Sequence, residues 1–137
     1  MKTYIGIDLG GTNVRVAKVT EFGEVLSQVK GPSFGMEGPT KVMSNLKEMV
    51  REIPGWKDCS AIGVGVPGPV DKKSGSMVLS TNLKGFTGYP FADELSKEFG
   101  MPAFVGNDAN VAGLAEALVG AGKDKSVVYY VTISTGI

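Results

Sequence analysis

The chain has 137 residues, 14 Lys+Arg against 14 Asp+Glu, no His and one Cys. That length suffices for one domain with a real core, and zero formal net charge argues against nucleic-acid backbone binding, which needs a basic face. With no His and with Cys59 alone, an intrachain disulfide, a Cys/His zinc site and any His-based triad are excluded, so proton transfer must rest on carboxylates, Lys or Tyr.

Met1-Lys2-Thr3 leads at once into a strand, without the apolar stretch and cleavage site of a signal peptide. No run approaches the roughly 18 apolar residues of a membrane span, so the sequence reads as cytoplasmic, with no membrane and no nucleic-acid partner. Residues 3–9, 13–20 and 23–30 have the composition of three consecutive strands. Gly10-Gly11 and Phe22-Gly23 mark the turns, and such short links make neighbouring strands antiparallel. Gly10-Gly11 is expected to supply the positive φ angles of a tight hairpin. Gly31-Pro32 ends the third strand, and a loop from Phe34 to Pro39 leads into a helix over 40–53. Val42, Leu46, Met49, Val50 and Ile53 share one face of it, and Pro54-Gly55 stops it.

Residues 60–67 (SAIGVGVP) form a short apolar run that reads as a strand buried on both faces. It opens into a stiff Gly/Pro loop, Gly65 to Asp71, followed by a polar turn (72–75), a short strand (77–80) and a loop at Asn82–Phe86. Phe91, Leu95 and Phe99 anchor a helix over 91–99, with Gly100 as its stop. Ala103 to Gly106 is a brief strand. Asn107-Asp108-Ala109-Asn110 leads into a helix over about 109–120, with Val111, Leu114, Ala115 and Leu118 as its buried stripe. Val127 to Ser134 reads as one more strand, and the chain stops inside the turn motif that follows.

The resulting order, β-β-β-α-β-α-β-α, implies three antiparallel strands extended by two parallel ones, with helices on the faces. Ligands of such sheets gather beyond the strand ends. The first, fourth and fifth strands end in Asp8–Thr12, Gly65–Asp71 and Asn107–Asn110. At the first of these, bare glycines admit a phosphate to backbone N–H groups and Thr12 adds a hydroxyl. Asp8 makes sense beside a phosphate when Mg²⁺ sits between them, directly or through water. A plain hairpin with a polar rim fits the same residues. Asp108 reads either as a helix cap or as a base, and Gly65–Pro69 either as a rigid connector or as a substrate wall.

Taken together, Asp8-Leu9-Gly10-Gly11-Thr12, Gly65-Val66-Pro67-Gly68, Asn82-Leu83 and Asn107-Asp108-Ala109-Asn110 resemble the ROK sugar kinases, notably bacterial glucokinases. The resemblance covers nearly the whole chain. It implies an actin/hexokinase-like (ribonuclease H-like) α/β fold, with residues 1–122 as the N-terminal domain and 123–137 as the first strand of a truncated nucleotide-binding domain. It further implies an ATP-dependent hexose kinase whose ATP phosphates lie on Asp8, Gly10, Gly11 and Thr12, joined by Thr135 and Gly136 of a second phosphate loop. Asp8 would hold Mg²⁺ through water. Gly68, Asn82, Asn107 and Asp108 would hold the sugar, and Asp108 would act as general base. Ser134 departs from the family's usual Gly, and the family's sugar-binding His and Cys-rich zinc motif are absent.

The implied partners are ATP and a small sugar: glucose, or an N-acetylhexosamine, mannose or fructose. A full-length homodimer is implied, and self-association of this piece through 127–134 is expected. A sugar-sensing repressor of the same family is the other reading. It would carry a winged helix ahead of the first loop, for which the residues before Asp8 leave no room.

Overall fold

The computed structural model describes residues 1–133. Its strands are β1 (Thr3–Leu9), β2 (Asn13–Thr20), β3 (Val25–Pro32), β4 (Ile62–Val66), β5 (Val70–Asp71), β6 (Ser76–Met77) and β7 (Ala103–Asn107); its helices are α1 (Pro39–Glu52), α2 (Phe91–Phe99) and α3 (Asp108–Val119). The main sheet runs β3-β2-β1-β4-β7. β1, β2 and β3 are antiparallel, while β4 and β7 continue the sheet parallel to β1. Because β1, β4 and β7 point the same way, the three loops singled out in the sequence open at one end of the sheet.

The two faces of the sheet are unlike. On one, Ile5, Ile7 and Leu9 of β1, Val14 and Val16 of β2 and Ile62, Val64 and Val66 of β4 pack against Val42, Met43, Leu46, Met49 and Val50 of α1 and Phe91, Leu95 and Phe99 of α2 in a single core. Burying side chains of this size stabilises the fold by about 1.5–3 kcal/mol each. On the other face, β4 presents Gly63 and Gly65, and β7 presents Phe104 and Gly106. β4 is therefore not the doubly apolar strand its sequence implied, because its glycines alternate with its core residues. α3 lies over the end of this second face. Its stripe is not buried: Val111, Leu114 and Leu118 are 45%, 59% and 63% exposed, because no further layer covers it among the described residues.

Three other sequence expectations are corrected. The β1–β2 turn centres on Gly11-Thr12 and not on Gly10-Gly11: Leu9 pairs with Val14, and Gly10 N–H donates to Asn13 O at 2.9 Å. Neither Gly10 nor Gly11 has positive φ; Gly23 does, in the β2–β3 turn. The strand expected over 77–80 shrinks to Ser76–Met77, paired with Val70–Asp71. Residues 127–133 form no strand. A strand needs a ladder to join, and the sheet ends at β3 and β7 with neither pairing to this run.

α1 and α2 are tied side by side by charge. Lys47 Nζ lies 2.9 Å from Glu94 and 3.7 Å from Glu98, Arg51 pairs with Glu98, and Tyr89 OH donates to Glu94. Burial pushes the Glu94 carboxyl up, but the hydrogen bonds from Tyr89 and Lys47 and the Lys47 charge outweigh it and hold the pKa below its ordinary value. Burial, then the bond and charge of Glu94, push Tyr89 up to about 12. Since Glu94 binds its proton less readily folded than unfolded, its contribution is present above the ordinary Glu pKa and is lost as pH falls through the depressed one. Tyr89 holds its proton more tightly when folded, so its contribution is present below the ordinary Tyr pKa and is lost as pH rises toward 12. Urea midpoints measured against pH should fall at both extremes, and Glu94→Gln should flatten the acid limb. An acid limb of unchanged steepness in that variant would refute the tie.

Candidate active site

The C-terminal ends of β1, β4 and β7 form the floor of the site. Asp8 pairs in register with Gly65, and Gly65 with Gly106. The two glycines are what let α3 come down onto the sheet. A Cβ at Gly65 would lie 3.4 Å from Asp108 Cα, and one at Gly106 would lie 2.8 Å from Val111 Cγ2. The N-terminus of α3 therefore sits directly over the strand ends. Asp8 and Asp108 line one cleft of about 340 Å³ with Gly65, Ala112, Tyr130 and Thr132.

The choice between cap and base at Asp108 is narrowed by Asn107. Asn107 is the N-cap of α3: its Oδ1 accepts from Ala109 N at 3.1 Å and Asn110 N at 3.2 Å. Its Nδ2 donates to Gly68 O at 3.0 Å, which fastens the Gly/Pro loop to the helix. Gly68 has φ 143° and approaches Leu79 O so closely that a Cβ would lie 2.7 Å from it. Asp108 is the first residue of α3 and exposed; its Oδ1 accepts from Ala109 N at 2.8 Å, and the residue lines the cleft. Gly68, Asn107 and Asn110 line a neighbouring cleft of about 600 Å³ that shares Val111 with the first. Asp71, at the end of the same loop, is held below the ordinary carboxylate range by hydrogen bonds from Lys73 N and Ser74 Oγ within its own turn.

The glycine loop after β1 is braced by two others. Ser33 N–H donates to Thr12 O at 2.9 Å, and Lys84 N–H donates to Gly35 O at 2.8 Å. A Cβ at Gly11 would lie 3.0 Å from Asn82 Cβ, and one at Gly35 would lie 2.5 Å from Gly11 O. The glycines at 11 and 35 thus serve close packing of three loops, not left-handed backbone. Asn82 lies on this side, behind Gly11, and not in the cleft with Asp108. Gly10, Gly11 and Thr12 line neither cleft, although their loop leaves the sheet beside Asp8. Thr135 and Gly136 lie outside the described residues. The bracing by Ser33 and Gly35 was missed in the sequence; the only trace there is a glycine inside a loop otherwise read as a connector.

For a divalent cation, the cleft offers two exposed carboxylates, Asp8 and Asp108. Among the described residues, no three His, Cys, Asp or Glu side chains gather to hold a metal. Mg²⁺ commonly takes one or two carboxylates, several waters and the substrate's phosphates. Asp8 fits an ion brought in with a phosphate and does not fit a resident one.

A three-antiparallel, two-parallel sheet with helices packed on it is the actin/hexokinase-like domain fold. The ROK family matches residues 4–137, and the chain belongs to that family. A glucokinase of Thermotoga maritima is 34% identical over 133 residues, covering 97% of this chain and 42% of that protein. The ROK hexokinase of Thermus thermophilus superposes with a TM-score of 0.79 at 33% identity, covering 89% of this chain and 40% of that one. A ROK glucokinase of Streptomyces griseus, solved in complex with glucose and AMPPNP, superposes with a TM-score of 0.79 at 30% identity, covering 89% of this chain and 38% of that one. The chain thus spans about two fifths of the length of these relatives.

Gly35→Ala should shift the Gly10–Thr12 loop and destabilise by about 1–3 kcal/mol, as overpacking does. Amide chemical shifts of Gly10 to Thr12 report it; shifts confined to residues 33–37 would contradict the bracing.

Proposed function

We propose that this chain is the N-terminal part of an ATP-dependent hexose kinase that transfers the γ-phosphate to a hydroxyl of glucose or a close relative. The observation that carries this reading is the shared cleft: a carboxylate at the end of β1 and another opening α3, facing one space across Gly65. Phosphoryl transfer needs an aligned acceptor, screened phosphate charge and a destination for the hydroxyl proton. Asp108 takes the proton. An ordinary Asp is ionised at neutral pH and is a weak base, but in a loose transition state the proton leaves late, so position counts for more than basicity. Asn107 keeps Asp108 in place by capping α3 and tying it to Gly68. The cap and the tie occupy the Asn107 amide and the Gly68 carbonyl, and the neighbouring backbone of the Gly65–Asp71 loop faces the sugar.

On the donor side, the Gly11 and Thr12 N–H groups and the Thr12 hydroxyl receive phosphate oxygens, while the Gly10 N–H is held by Asn13 O. Asp8 would hold Mg²⁺ through water, and the ion would neutralise phosphate charge. By the family resemblance, a nucleotide-binding domain that starts near residue 123 and a second phosphate loop that includes Thr135 and Gly136 would complete the donor site in a full-length enzyme of the relatives' length. This chain alone is therefore a poor catalyst, since closure around ATP needs both halves. Its apolar run 127–134 is poised to pair with another copy; Val127, Tyr129, Val131 and Ile133 are 70%, 92%, 71% and 76% exposed.

In the full-length enzyme, Asp108→Asn should lower kcat by about 10²–10⁴, the usual contribution of a positioned base, and leave the KM for sugar within a few-fold. The amide retains the acceptor for Ala109 N. Normal turnover in this variant would remove the base assignment. For the 137-residue chain, sedimentation should show a concentration-dependent dimer; a strict monomer with a mobile 127–133 run would contradict the pairing.

A further inference from the structure

Two unfavourable features sit side by side where β3 gives way to the loop before α1. The Ser33 side chain is fully buried, at 0% exposure, and its Oγ pairs with no protein group among the described residues. A buried hydroxyl left without a partner costs stability. The next residue, Phe34, has φ 58° and ψ 35°, a left-handed backbone that a bulky side chain rarely adopts. Such costs persist where the surroundings impose them, and they gather at functional segments. Here the surroundings are the loop after β1. Ser33 N–H donates to Thr12 O, and a Cβ at Gly35 would press on Gly11 O and Asn82 O. From the other side, α1 anchors the segment. Asn45 Nδ2 donates to Pro32 O at 2.9 Å, and Lys41 Nζ lies 4.6 Å from the centre of the Phe34 ring. A helix of the sealed core therefore holds Ser33 against Thr12.

We propose that Ser33 is a positioning residue for the donor phosphates, an inference that rests on the kinase reading above. Asn13 pairs with Pro32 across β2 and β3, so Thr12 and Ser33 are the next positions along. Ser and Thr hydroxyls facing each other across strands hydrogen-bond, yet Ser33 Oγ makes no such bond here. The hydroxyl is held in reserve for the phosphate-bound state. When phosphate oxygens draw on the Thr12 hydroxyl and on the Gly11 and Thr12 N–H groups, the loop tightens onto Ser33. Ser33 Oγ then donates to Thr12 Oγ1, and Thr12 Oγ1 donates to phosphate. A hydroxyl that accepts a hydrogen bond is a better donor in turn, so the two bonds strengthen each other. Ser33 touches no substrate in this arrangement and acts only through Thr12. Ser27 Oγ is likewise unpaired, but it lies within β3 opposite Lys18, away from the phosphate loop, and has no such task.

The test uses the full-length protein with Ser33→Ala, Ser33→Thr and, as a control, Ser27→Ala. Thermal melts without ligand are measured beside calorimetric binding of ATP and of tripolyphosphate, each with Mg²⁺, and steady-state kinetics. A merely structural hydroxyl and one kept for the bound state give different patterns. Ser33→Ala should raise the melting temperature by about 1–4 °C, since it removes an unpaired buried group. It should also weaken both ligands by about three- to tenfold, the worth of one hydrogen bond. The KM for glucose should stay within about twofold, because a loss confined to the donor side spares the acceptor. Ser33→Thr should keep most of the affinity. Ser27→Ala should bind both ligands as the wild type does. Unchanged affinity in Ser33→Ala, an equal loss in Ser27→Ala, loss for only one of the two ligands, or a lowered melting temperature with all kinetic constants impaired together would each overturn the proposal. Absence of any sugar phosphorylation by the wild-type protein would overturn the kinase reading instead, and the two affinities would still decide on Ser33.

Discussion

A missing side chain at Gly65 is what brings two carboxylates to one cleft. Parallel strands β1 and β4 set Asp8 beside Gly65, and any bulk there would press on Asp108, whose Cα already lies in van der Waals contact with the space a Cβ would fill. Gly106 repeats the device one strand further along. Sheet and helix can then meet at backbone distance, and the polar end of α3 is held over the polar ends of the strands. The rest of the site is arranged around that close approach. Asn107 caps the helix and reaches back to Gly68, so the helix start and the Gly/Pro loop move as one piece.

The same logic, glycine for proximity, governs the loop after β1. Gly11 and Gly35 lie where three loops interlock, and the hydrogen bonds from Ser33 to Thr12 and from Lys84 to Gly35 hold them there. Behind this lies a rigid layer: one sheet face sealed by α1 and α2, themselves joined through Lys47, Arg51, Glu94 and Glu98. A site that must position a hydroxyl against a phosphate gains from such support, since misplacement costs rate steeply. The opposite face is lightly covered, and its apolar residues, Phe104 among them, remain exposed.

Much of this was legible in the sequence, and the reasons are local. The strand composition of residues 3–9 and 13–20, the stripe Val42/Leu46/Met49/Val50 and the Phe91/Leu95/Phe99 spacing each encode a period that only one element type satisfies. Short links then dictated antiparallel neighbours, and helical crossovers dictated parallel ones. What escaped was anything decided by a distant partner. The sequence cannot distinguish a glycine kept for φ from one kept for proximity: Gly10-Gly11 reads as a tight turn, whereas Gly11 packs against Asn82 with no positive φ. The apolar stripe of α3 and the run 127–133 read as buried because hydrophobicity signals a wish for cover, not its presence. Asn107 and Asp108 are adjacent and chemically alike, and only the hydrogen bonds reveal that the first is the cap.

The most direct measurement is a crystal structure of the complete protein with glucose and a non-hydrolysable ATP analogue. The account requires a sugar hydroxyl within about 2.6–3.2 Å of the Asp108 carboxylate, with the terminal phosphate above the Gly10–Thr12 loop and between it and that hydroxyl. A sugar bound away from α3, or a phosphate chain that never reaches the end of β1, would contradict it.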